Sequence, residues 1–160
     1  FDIASRADHW LQSGEGGGGG SKPFTLLLNI IIPSANHLCL VAAFRPRETA
    51  SLEHVERPEV RLFWKWVEAD DAFRNERLKL IPRVAKGSFL VQKGVGATPV
   101  LLGKKIKVHY FRTAHSFEVD LDVGSDPIAN YVCRLVRDVM ASSVCLDLAI
   151  ALEGRCEEVR

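Results

Sequence analysis

Asp70 and Asp71 stand side by side in "DDAFRNERLKLIP", residues 70 to 82, followed by Arg74, Arg77 and Lys79 among apolar neighbours and closed by Pro82. Adjacent carboxylates can share a proton or divide acid and base work, and clustered cations can hold an anionic headgroup. The same pattern also suits an ion-paired structural corner. A second acidic set, Glu118, Asp120 and Asp122, occupies alternate positions, so a strand would project all of them to one face as a possible metal edge. Lys105, Lys107 and His109 alternate on the segment before it, which favours a solvated ladder of opposite charges over a metal site. Such exposed pairs contribute only ~0.2 to 1 kcal/mol each.

Other chemistries find little support. His9, His37, His54, His109 and His115 show no HxH or HExxH spacing. Cys39, Cys133, Cys145 and Cys156 form no CxxC pair and read as buried free thiols. No serine lies in a G-x-S-x-G elbow, and "KGVGATP" reads as a turn rather than a phosphate loop. Lys plus Arg total 21 against 20 Asp plus Glu, so no overall charge draws the chain to nucleic acid. No catalytic residue, metal site or cofactor is expected.

Residues 1 to 23 form an N-terminal segment with the glycine tract "SGEGGGGGSKP", which has linker composition. One domain, 24 to 160, follows. "FTLLLNIII" is apolar on both faces and predicts an interior strand, with "HLCLVAAF" as its hairpin partner across "PSAN". "RPRETASLEHVERP" is then a polar connection. Leu62, Trp66, Ala69 and Phe73 predict a helix over 59 to 73, and Leu78 to Pro82 a short strand. On this reading Asp70 and Asp71 lie near a helix C-terminus, against the macrodipole, with Arg74 as the compensating partner and Asn75 as a left-handed cap.

"GSFLVQKG" predicts a further strand and "GATPVLLG" a loop with an extended piece. "KKIKVHYFRTAHSFEVDLDV" predicts a hairpin that sets Ile106, Val108 and Tyr110 opposite Leu121, Val119 and Phe117. Ser125 or Asp126 caps a C-terminal helix with Pro127 at its first position, running about 25 residues toward Gly154. The expectation is an α+β domain: an antiparallel sheet of about five to seven strands, one mid-chain helix, and a long C-terminal helix held in its groove, a START-like helix grip. The run Val139 to Leu152 contains Asp147 and is too short to span a membrane.

"DDAFRNERLKLIPRVAKGSFLVQKGVGATPVLLGKKIKVHYFR" and "FEVDLDVGSDPIANYV" closely resemble the C-terminal domain of the plant protein ENHANCED DISEASE RESISTANCE 2 and its relatives, over about residues 22 to 160. In those proteins the domain follows a pleckstrin homology domain and a START domain in regulators of defence-linked cell death, and its own activity is unassigned. Phe89 stands where Trp is frequent, and "TAHS" replaces a commoner Gly-Pro-Asn-Tyr turn. Relatives continue past Arg160 through a segment read as a last strand, so the chain is expected to lack that strand.

The gripped apolar helix and the basic residues concentrated from Arg74 to Lys107 lead to the expectation of a non-enzymatic, lipid- or membrane-associated regulatory module. Arg74, Arg77, Lys79, Arg83, Lys86 and Lys105 are the expected contacts to an anionic lipid or phosphoinositide surface. Asp70, Asp71, Arg74 and Asn75 form the expected structural corner. The alternative is a protein-interaction domain acting through Trp64 and the Asp70 to Arg77 corner. The expected location is cytoplasmic, peripheral on endomembranes or the plasma membrane. Because the chain opens at Phe1, it is read as a fragment.

Overall fold

A computed structural model describes residues 24–36, 38–45, 57–87, 89–96, 98–139 and 144–155. Strands β1 (Thr25–Ile32) and β2 (Leu38–Phe44) form the expected antiparallel hairpin, from Leu26 opposite Phe44 to Ile32 opposite Leu38. In its turn the Ser34 hydroxyl accepts the Leu38 N–H at 2.9 Å. Helix α1 (Pro58–Glu68) begins with proline at its first position, where no intrahelical N–H is needed. Helix α2 (Asp71–Asn75), strand β3 (Leu78–Lys86), helix α3 (Phe89–Val95) and strand β4 (Val100–Leu101) follow. A 3-10 turn at Leu102–Lys104 leads into β5 (Lys107–Arg112) and β6 (Ser116–Asp122). Helix α4 (Pro127–Val139) and strand β7 (Cys145–Leu152) complete the order.

The class is α+β, with two sheets. One has four strands in the order β2-β1-β6-β5, and the other has three in the order β4-β3-β7. β1 is interior, as its two apolar faces require, and it pairs with β6 in parallel, Leu26 opposite Phe117 through Ile30 opposite Leu121. A parallel pair needs a long crossover rather than a hairpin, and the chain from β2 through β5 supplies it. Leu28, Phe117, Val119 and Leu121 share one face and pack with Trp66, Val67, Leu78 and Leu102 in a buried core. Each such side chain contributes about 1.5 to 3 kcal/mol through burial. Trp66 meets Phe117 edge-on at 5.1 Å.

Several expectations are corrected. The single helix over 59 to 73 is two helices, because Ala69 and Asp70 are extended and Asp70 starts the second. "GSFLVQKG" is mostly helix, not strand. The long C-terminal helix and its START-like grip are replaced by α4 and a strand: Asp126 caps α4 by accepting the Ala129 N–H at 2.8 Å, as expected, but residues 145 to 152 pair antiparallel with β3. In that segment Leu146, Leu148, Ile150 and Leu152 recur at period two, and Val84, Pro82, Leu80 and Leu78 stand opposite them. The hairpin of β5 and β6 keeps the expected faces but is shifted by two residues, because Thr113 N–H bonds Ser116 C=O at 2.9 Å and shortens the loop. Cys145 is exposed rather than buried, whereas Cys39 and Cys133 are half-buried, and all three are free thiols. The expectations for residues 1 to 23, for His9, His37, His54 and Cys156, and for most of the polar connection after β2 lie outside the described residues.

Candidate functional site

The charged corner is built around the start of α2. Asp70 is its N-cap and accepts the Phe73 N–H at 2.8 Å, and Asp71 sits in the first turn. The two carboxylates therefore lie at the positive end of a helix, where negative charge is favourable, and not against the dipole as the sequence suggested. The error follows from reading two helices as one.

Arg74 is the expected partner of Asp71, at 2.8 Å, but most of its fork turns elsewhere. It donates to the carbonyls of Trp66 at 3.2 Å and Val67 at 2.6 Å, which are among the last carbonyls of α1. Its plane also lies over the Phe117 and Tyr110 rings at 5.0 and 5.2 Å. In return Trp66 Nε1 donates to the Arg74 carbonyl at 3.2 Å. One guanidinium thus caps α1, pairs with α2 and rests on the sheet. Asn75 closes α2 from within the helix, without the left-handed backbone expected of it; Gly96, with φ of 69°, is a described residue that does carry positive φ. The Asn75 side chain accepts the Tyr110 hydroxyl at 2.9 Å. Burial raises the Tyr110 phenol well above its ordinary pKa of 10.0, with the Asp71 charge acting in the same direction, so this hydroxyl stays a donor. Gly103 lies so close that an added Cβ would sit 2.3 Å from the Asn75 Cβ.

The remaining expected headgroup residues are not brought together. Arg77 is buried, stacks over Phe73 at 3.8 Å and approaches Glu76 at 3.6 Å. Lys79 pairs with Glu153 at 2.9 Å, and that hydrogen bond holds the Glu153 carboxyl below its ordinary value. Arg83 grips Asp147 through Nε at 2.9 Å and a terminal nitrogen at 2.5 Å. Lys86 is at the far end of β3, roughly 20 Å from Lys79 at the rise of a strand. Lys105 is exposed just before β5. Trp64 is half-buried, with its ring 4.7 Å from Phe24 and 5.4 Å from Phe63.

A buried polar group was missed by sequence reasoning. Glu118 and Asp120 are fully buried, contrary to the solvated ladder expected, and so are Asn29 and, nearly, Thr25 and Ser116. β6 is an interior strand: β1 pairs with its other edge and sets Leu27 beside Glu118 and Asn29 beside Asp120. Asn29 Nδ2 donates to Asp120 Oδ1 at 3.0 Å. The available signal was Asn29 itself, a lone amide in the middle of an otherwise apolar interior strand, which must find a polar neighbour. Among the described residues, no group of three or more His, Cys, Asp or Glu side chains could hold a metal ion.

A family profile described as "Protein ENHANCED DISEASE RESISTANCE 2, C-terminal" matches residues 1–159. The chain belongs to this family. A curated relative, a "Protein ENHANCED DISEASE RESISTANCE 2-like" from Arabidopsis thaliana, is 38% identical over 135 residues, 84% of this chain. The chain spans 18% of that relative's length. No solved structure matches. For an ENHANCED DISEASE RESISTANCE 2 C-terminal domain, then, "DDAFRNERLKLIP" is the segment that joins α1, α2 and β3 and locks them to the four-stranded sheet through Arg74. Among the described residues no helix is long and apolar enough to cross a membrane.

Proposed function

We propose that this domain is a non-enzymatic, membrane-associated regulatory module that touches anionic lipid through the α3 end of the three-stranded sheet. The observation that carries the reading is Phe89, 74% exposed at the start of α3. Gln92 and Lys93, three and four residues on, share its side of the helix and are exposed, and Lys86 lies just before it. Among the described residues neither Lys86 nor Lys93 makes an ion pair, unlike Lys79 and Arg83. An aromatic ring flanked by free ammonium groups suits the headgroup boundary of a bilayer, where the ring enters and the lysines stay with the phosphates.

Burial of the ring supplies about 1.5 to 3 kcal/mol and each lysine about 1. A sum of ~3.5 to 5 kcal/mol corresponds to an affinity of about 0.2 to 3 mM, so this surface assists attachment and does not anchor alone. The alternative of a protein-binding corner at Trp64 and Asp70 to Arg77 has less to offer, since the Trp64 ring, Arg74 and Arg77 are engaged internally. Co-sedimentation with phosphatidylcholine vesicles, with and without phosphatidylserine, tests the proposal. Binding is expected only with the anionic lipid, weakening with salt and lost in Phe89→Ser/Lys93→Glu. Equal recovery of both proteins with anionic vesicles would reject it.

A further inference from the structure

β5 ends the four-stranded sheet, and among the described residues no strand pairs with its outer side. In the register running from Lys107 opposite Asp122 to Arg112 opposite Phe117, and on to the Thr113–Ser116 bond, the backbone groups of Lys107, His109 and Phe111 turn toward β6. Those of Val108, Tyr110 and Arg112 turn outward, and among the described residues no strand takes them. The strand is neither short nor blocked by proline, two usual protections of an edge.

Its charge is one-sided. From Arg77 to Phe117 the sequence holds no Asp or Glu. Lys105, Lys107 and His109 are exposed at alternate positions, and Lys104 precedes them, also exposed. Among the described residues, Lys104, Lys105 and Lys107 form no ion pair. Several carboxylates of the described residues are engaged or turned inward: Glu68 pairs with Arg112 at 2.6 Å, Asp71 with Arg74 at 2.8 Å, Glu153 with Lys79 at 2.9 Å, and Glu118 and Asp120 are fully buried. Asp122 is half-buried on the β6 side of Lys107. The opposite face of β5 is different, with Val108 and Tyr110 half-buried against the aromatic core.

We propose that this edge accepts an acidic, extended peptide segment by strand addition. The peptide backbone pairs with the outward groups of Val108, Tyr110 and Arg112. Its carboxylates fall beside Lys105, Lys107 and His109, and its intervening apolar residues beside Val108 and Tyr110, so alternation of acidic and apolar residues is the recognised feature. Lysines on an edge strand also discourage aggregation. That role alone predicts no saturable peptide binding.

Fluorescence anisotropy with a labelled synthetic peptide of about ten residues, alternating Glu with Val and Thr, tests the inference. Two control peptides separate strand addition from plain charge attraction: one of equal composition with its Glu residues gathered at one end, and one N-methylated at the amides that would face β5. Saturable binding of the alternating peptide is expected, weakened about tenfold or more for both controls and for Lys105→Glu/Lys107→Glu. Lys93→Glu, which alters the proposed lipid surface, should leave peptide binding unchanged. No saturable binding, or equal binding of all the peptides, would overturn the inference. Both substituted lysines are exposed, and a melting curve matching the parent protein establishes that any loss comes from the edge.

Discussion

Replacing Arg74 with methionine keeps much of the side chain's length and removes the guanidinium. The structure assigns that group two hydrogen bonds to α1 carbonyls, an ion pair with Asp71, and contacts with two aromatic rings. Bonds from a charged donor are worth about 1 to 2 kcal/mol each once solvent competes for the carbonyls. The ring contacts add ~0.5 to 1 kcal/mol. The pair with Asp71 adds at most ~0.5, since the Asp71 carboxylate is 66% exposed. Methionine recovers some packing, so the net loss should be about 3 kcal/mol. For a chain of this length that lowers Tm by about 6 to 12 °C. Arg74→Lys separates geometry from charge: one ammonium cannot reach both carbonyls and also lie flat on the rings, so lysine should restore less than half of the loss. Urea denaturation and thermal melting of both variants give the numbers. Full rescue by lysine would show that charge alone matters, and a methionine variant within ~0.5 kcal/mol of the parent would refute the account of Arg74 as the lock of the corner.

Gly103→Ala should destabilise by about 1 to 3 kcal/mol, the usual cost of overpacking, because the new methyl meets Asn75 at its Cα and Cβ, 2.4 and 2.3 Å away. Thermal melting reads it, and an unchanged Tm would mean that the 3-10 turn at Leu102–Lys104 and α2 separate freely. Asn29→Leu removes the amide that donates to Asp120 in a fully buried setting. A loss of about 2 to 3 kcal/mol in denaturant unfolding is expected, and a change below ~0.5 kcal/mol would show that the pair contributes little.

Much of the fold was legible locally. The two-residue alternation of 107 to 112 and 116 to 122 assigns strands and divides their faces, the apolar runs 25 to 32 and 38 to 44 flank turn residues, and Pro58, Asp126 and Pro127 mark helix starts, because backbone periodicity and capping act within one turn or one pleat. Residues 145 to 152 were ambiguous for the same reason: an apolar run satisfies either period until its partner is known. That partner, β3, lies more than fifty residues earlier, and its apolar Leu78, Leu80, Pro82 and Val84 select the strand. The site divides likewise. The ion pair of Asp71 with Arg74 follows from helical spacing, whereas the carbonyls of Trp66 and Val67 come within reach only because the chain breaks at Ala69 and doubles back.

The sequence by itself determined the family, the strand faces and the charge bias between Arg77 and Phe117. Only the tertiary structure decided which polar residues meet water. Alternation states that Glu118 and Asp120 share a face, but not that both are fully buried or that Asp120 takes a hydrogen bond from Asn29 on the parallel strand β1, about ninety residues away in sequence. Among the described residues β5 has one strand neighbour and β6 has two, so two strands of similar alternation take different places in the sheet order.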